Sequence, residues 1–131
     1  KHSHHDIDID KPGKDSYELR KAGAVQTIVA CDQRWALMTE TPNSTVNLHA
    51  LAAKFDPDLT DLILVEGFKH EPIDKIALFR SAVGKPFEGI IDQHVIALAT
   101  DEEITTDIPK LDLNNPSDIA AFIQHWLNNI R

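Results

Sequence analysis

The alternation of apolar and polar positions divides the chain into short elements. Gln26–Ala30 and Arg34–Thr39 are β-rich runs on either side of Cys31-Asp32-Gln33, the pattern of a hairpin with a short polar turn. Trp35, Leu37 and Thr39 alternate with Ala36, Met38 and Glu40, so one hairpin face is expected to be buried. Leu48, Leu51, Ala52 and Phe55 share one stripe at helical spacing, and Asp56-Pro57-Asp58 ends that helix. Leu62-Ile63-Leu64-Val65 is apolar without alternation, which predicts a strand buried on both faces, as in a parallel sheet flanked by helices. Ile76–Phe79 and Val95–Ala99 read as further strands, with residues 80–94 (Gly84, Pro86, Gly89) as loop. Asn114-Asn115-Pro116-Ser117 opens a final helix whose Ile119, Phe122, Ile123, Trp126, Leu127 and Ile130 form a wide apolar stripe. Before the hairpin, residues 1–13 are polar and loop-like. Asp15 and Glu18 have capping-box spacing, and Gly23 closes a short helix. The fold class expected is α/β: a mixed, mostly parallel sheet with flanking helices and a β-hairpin. Phe122 and Trp126 are expected in the core, and His125 on the surface.

Composition narrows the function classes. One domain over residues 1–131 has room for a real core. A net charge of −8 argues against a nucleic-acid surface, which would show basic clustering, and suits a soluble cytoplasmic protein. Cys31 is the sole cysteine, so neither an internal disulfide nor a Cys-rich zinc site can form. No apolar run approaches the ~18 residues of a membrane span.

The chemistry concentrates at strand ends and turns. The apolar run at 62–65 stops at Glu66-Gly67, the place where open α/β sheets receive ligands. In P-loop nucleotidases such a strand puts a carboxylate beside the magnesium of a nucleotide. The matching Walker A loop is missing: Gly13-Lys14-Asp15-Ser16 lacks Ser or Thr directly after Lys, and Asp8 stands at the earlier glycine position. Lys69 can reach a phosphate or pair with Glu66. Lys11, Lys14 and Asp15 flank Pro12-Gly13 just before a helix, where backbone amides attract anions. Thr100-Asp101 follows the 95–99 strand; the carboxylate there can either cap a turn or accept the two donors of a guanine edge. His2, His4, His5, Asp6, Asp8 and Asp10 crowd the amino terminus. Their donors suit transition metals, but a frayed terminus supplies no second shell. No Ser/His/Asp or Cys/His set has a nucleophile context.

Several blocks together closely resemble one family. They are Lys1-His2-Ser3-His4-His5-Asp6, Asp10-Lys11-Pro12-Gly13-Lys14-Asp15-Ser16, Leu19–Ala24, Arg34–Glu40 and Leu62–His70. Their collinear arrangement resembles the molybdopterin-guanine dinucleotide biosynthesis protein B (MobB) family over nearly the whole chain. The resemblance implies a P-loop GTPase-like domain that binds GTP with Mg2+, hydrolyses it weakly and forms homodimers. It also implies assistance to the molybdenum cofactor guanylyltransferase that joins GMP to molybdopterin. It makes Glu66 the catalytic Walker B acid and, with Asp6, a metal ligand. Gly67, Lys69, Lys14, Asp15, Thr100 and Asp101 become nucleotide-binding candidates, with His5 in the polar segment near the phosphates.

Set against the family pattern, the chain corresponds to roughly the last three quarters of such a domain, without the Walker A lysine that anchors the phosphates. The expectation is therefore weak GTP binding and no turnover for residues 1–131. The loss of a central strand would also expose a sheet edge, which the hairpin at 26–39 could cover across a dimer. A non-enzymatic dimeric module docking onto the guanylyltransferase is the alternative expectation.

Overall fold

A computed structural model describes residues 1–131 apart from His4, Asp6, Lys85, Glu88 and Arg131. The chain divides into two compact units, residues 1–69 and 70–131.

In the first unit, α1 (Asp15–Lys21) leads into the hairpin of β1 (Gln26–Cys31) and β2 (Arg34–Thr39). The capping residue expected at 15 is displaced by one. Lys14 is the N-cap and contributes no side-chain cap, so Asp15 is the first helical residue. Glu18 still reaches back as a capping box requires, its Oε1 accepting the Gly13 N–H at 3.4 Å. Gly23, at φ +106°, turns the chain out of the helix. The hairpin is in register from Gln26↔Thr39 to Cys31↔Arg34. Its buried pair is Thr27 and Met38, which sit opposite one another and so on one face. The other face carries Ile28, Leu37 and Trp35, all exposed, with Trp35 at 69%. α2 is shorter than its apolar stripe, Leu48–Ala52; Asn47 caps it by accepting the Ala50 N–H at 2.9 Å. Only Leu48 of that helix is buried.

The strand expected over Leu62–Val65 does not form. The segment is irregular, and Leu64 is 72% exposed. A strand exists through its ladder, and among the described residues the long-range backbone bond made here runs from the His2 N–H to the Glu66 carbonyl, at 2.8 Å. Four apolar side chains cannot substitute for neighbouring strands on both edges.

The second unit holds the parallel sheet: β3 (Lys75–Phe79), β4 (Val95–Thr100) and β5 (Lys110–Asp112), in that order. A single 3₁₀ turn, Ser81–Val83, lies within the stretch expected to be loop. β5 was not visible in the hydrophobic pattern; it has three residues, of which only Leu111 is buried. β4 is the centre, with Ala97, Leu98 and Ala99 fully buried. One cluster joins Val95, Leu98, Ala77 and Phe79 to Phe87, Ile90, Ile104 and Ile108 from the connecting loops. The other joins Ala97, Ala99 and Leu111 to Ile76, Leu113 and to Ile119 and Phe122 of α3 (Pro116–Ile130). Trp126 is half-buried and His125 exposed. The architecture is mixed α/β, with its parallel and antiparallel pairings in separate sheets rather than one.

Candidate functional site

In the first unit the candidate site is a turn held by the amino terminus. Gly67 has φ +90° and Phe68 φ +52°, so two consecutive residues lie in the left-handed region. Phe68 is the only non-glycine residue there among those described. His2 closes over this turn. Its N–H donates to the Glu66 carbonyl at 2.8 Å, and its ring stacks on Phe68 with centroids 4.5 Å apart and planes at 22°. A Cβ on Gly67 would come within 2.9 Å of the His2 Cβ, so glycine is required by space as well as by backbone angle.

The turn presents the Glu66 carboxylate to solvent at 69% side-chain exposure, paired with Lys1 Nζ at 3.2 Å. Lys1 is thus one partner of Glu66, and Lys69 is exposed. Exposed pairs of this kind contribute little and yield readily to a stronger ligand. His2 acts on this site by holding its backbone, a role distinct from the metal chemistry that its residue type suits. Its signal in the sequence was a histidine facing a Gly-Phe pair whose distance along the chain hid the contact.

The rest of the amino-terminal segment is organised by Arg20. Its guanidinium, only 11% exposed, binds Asp8 at 2.8 Å, Asp10 at 2.7 Å and Glu40 at 3.5 Å. It also lies 5.3 Å from the Tyr17 ring centroid. The hydrogen bond from Arg20 is the main reason the Asp10 carboxyl is held below its ordinary range. The same bonds raise the Arg20 guanidinium above its own. Asp8 and Asp10 are thus engaged as anchors, and among the described residues no group of three His, Cys, Asp or Glu is placed to hold a metal. Asp6, the second metal candidate, and His4 lie outside the described residues. Lys14 and Asp15 are exposed. The Gly13 amide beside them is taken by Glu18 and the Lys14 amide by the Lys11 carbonyl. A shallow groove on α1 is lined by Asp15, Glu18, Leu19 and Ala22; its two acids oppose an anion.

In the second unit the candidate residues stand at the carboxyl ends of the parallel strands, where such sheets receive ligands. Thr100 is 4% exposed and its Oγ1 accepts the Glu102 N–H at 3.2 Å. Asp101 Oδ2 pairs with Arg80 Nε at 3.0 Å. Glu102 accepts the Ser81 N–H at 2.6 Å, and hydrogen bonding from the Ser81 side chain, followed by that from its backbone, holds the Glu102 carboxyl below the ordinary range. Arg80, Glu102 and Asn114 were not singled out by sequence reasoning, because their roles arise only when the ends of three strands meet.

The family model described as "Molybdopterin guanine dinucleotide synthesis protein B" matches residues 1–101. The chain belongs to the MobB family. Among curated MobB relatives, the molybdopterin-guanine dinucleotide biosynthesis adapter protein of Escherichia coli is 58% identical over 129 residues, covering 97% of this chain and 74% of its own length. The adapter protein of Haemophilus influenzae is 51% identical over 129 residues, covering 98% and 71%. Both MobB relatives extend beyond the aligned region, so the chain spans about three quarters of each. Among the described residues, no helix of this MobB chain is long and apolar enough to cross a membrane.

Proposed function

We propose that this chain is a GTP-binding accessory protein of molybdopterin-guanine dinucleotide biosynthesis, working in the cytoplasm as one MobB-like domain beside a guanylyltransferase and molybdopterin. The observation that carries the reading is the Glu66-Gly67-Phe68 turn, where a clamped backbone offers a carboxylate to solvent in a chain of the MobB family. Magnesium, when bound, would neutralise charge between the terminal phosphates. Glu66 has the donor chemistry to hold it, since that ion needs only one or two protein carboxylates. Lys14, Asp15, Gly67 and Lys69 are the phosphate-side candidates of the first unit. Thr100 and Asp101 are the base-side candidates of the second.

The amides already engaged at Gly13 and Lys14 support weak nucleotide binding by residues 1–131. Isothermal titration is expected to show no low-micromolar GTP affinity and no turnover for this chain; tight binding would contradict the reading. Preceding the chain with a Walker A segment should recover hydrolysis, and Glu66→Gln should then reduce it. A second reading, a dimeric interaction module that docks onto the guanylyltransferase without catalysis, is favoured by the exposed hairpin face of Ile28, Trp35 and Leu37. It predicts association and docking that Glu66→Gln leaves intact.

A further inference from the structure

We propose that Arg80 is the positioning residue for base recognition by Asp101, a step that rests on the guanine reading given above. The sheet register sets Phe79 beside Thr100 and Thr100 beside Asp112. All three parallel strands therefore end together, and the residues that follow them emerge at one edge. Arg80 follows β3, Asp101 follows β4, and Asn114 lies just past β5. The Arg80 guanidinium joins all three: its Nε meets Asp101 Oδ2 at 3.0 Å and its Nη2 donates to Asn114 Oδ1 at 2.7 Å.

Two further bonds stiffen the frame. The Ser81 N–H donates to Glu102 Oε1 at 2.6 Å, and the Asn114 N–H donates to Asp112 Oδ1 at 2.8 Å. A guanidinium is a planar fork, so fixing one nitrogen on Asn114 fixes the direction in which the other presents itself to Asp101. Lysine could satisfy either partner but not this geometry.

The pair remains reachable, with side chains 41% and 27% exposed. A carboxylate has about four lone-pair positions, and Arg80 Nε occupies one of them. The others can accept the ring N–H and exocyclic amine of guanine. Without Arg80 the carboxylate would swing freely and would have to be ordered at each binding event, which lowers affinity for the base it selects. Xanthine, which has a carbonyl where guanine has the amine, is rejected by a fixed carboxylate and accepted by an amide. A residue that only staples loops would not alter that distinction.

The test is a titration of the full 15N-labelled chain with GTP and, separately, with XTP, read from the amides of Thr100, Asp101 and Glu102. Thermal melting of each variant is measured in parallel. The wild-type chain is expected to prefer GTP, and Asp101→Asn to invert that preference. Arg80→Met should reduce the GTP-over-XTP ratio by about tenfold through weaker GTP binding, the loss associated with one charge-assisted bond. Arg80→Lys should recover only part of it. Should Arg80→Met fail to fold, Asn114→Ala keeps the Arg80–Asp101 pair, frees its far end, and should also lower the ratio. An Arg80→Met ratio within about twofold of wild type, alongside an inverted Asp101→Asn, overturns the role of Arg80 and leaves the guanine reading standing. No preference in the wild-type chain, or no inversion by Asp101→Asn, overturns the guanine reading and the proposal with it.

Discussion

Replacing Gly67 with alanine probes the clamp on which the Glu66 carboxylate depends. Two costs arise together. A residue with a Cβ at φ +90° carries about 1–2 kcal/mol of backbone strain. The new methyl group would also sit 2.9 Å from the His2 Cβ, well inside ordinary contact, so His2 must withdraw. Withdrawal gives up the 2.8 Å bond to the Glu66 carbonyl, about 0.5–1.5 kcal/mol. It also gives up the stack on Phe68, about 0.5–1.5 kcal/mol. The total lies near 2–5 kcal/mol if His2 withdraws while residue 67 keeps its left-handed backbone. The chain has a cheaper response, which is to let the turn itself relax along with the opened clamp while the remainder stays folded. Hydrogen exchange at the His2 amide should therefore accelerate by about tenfold or more, and the Phe68 ring resonances should lose their stacking shift. The urea midpoint should fall by less than the full cost. A Gly67→Ala chain with a protected His2 amide and unchanged Phe68 shifts would refute the clamp.

Three other outcomes follow from the packing. Leu98→Ala removes a fully buried side chain from the central strand and should cost about 2–5 kcal/mol in urea unfolding monitored by circular dichroism. Asp10, Asp92, Glu102 and Glu103 all have carboxyls held below their ordinary values by hydrogen-bonded partners. Their stabilisation is present above the unfolded values of 3.8 for Asp and 4.5 for Glu and is lost as pH falls through the depressed folded ones. Urea midpoints should thus drop below about pH 4, and Arg20→Met should flatten the share that comes from Asp10. Trp35→Glu puts a charge on the exposed hairpin face and should shift the chain toward monomer in light scattering at micromolar concentration. A wild-type chain that is already monomeric there would remove the dimer from the proposal.

The elements legible in the sequence are those with strong local signals. β2 matches its expected span Arg34–Thr39 residue for residue, because alternation and a polar turn suffice to define a hairpin. β4 follows from an apolar run that its neighbours bury on both faces. The run at Leu62–Val65 carries the same local pattern without a ladder among the described residues, and it remains irregular. β5 shows the converse: Lys110-Leu111-Asp112 has almost no pattern and becomes a strand because the edge of β4 is there to pair with it. The candidate site divides in the same way. Glu66-Gly67 and Thr100-Asp101 stand out as motifs, whereas Arg80 and Asn114 look like ordinary surface residues until the ends of three strands meet.

By itself the chain's residue order determined the two strands of the hairpin, the two-sided burial of β4, the amphipathic face of α3 and the family. Each of these depends on spacing within a few residues or on similarity along the line. Pairing placed Cys31 in β1 opposite Arg34 rather than in the turn. Tertiary structure alone decided which hairpin face is buried, that His2 closes over Gly67, that Arg20 gathers Asp8, Asp10 and Glu40, and that Arg80 ties Asp101 to Asn114. Those contacts join residues distant along the chain, and a hydrogen bond or a steric limit acts through distance in space, which the residue order does not record.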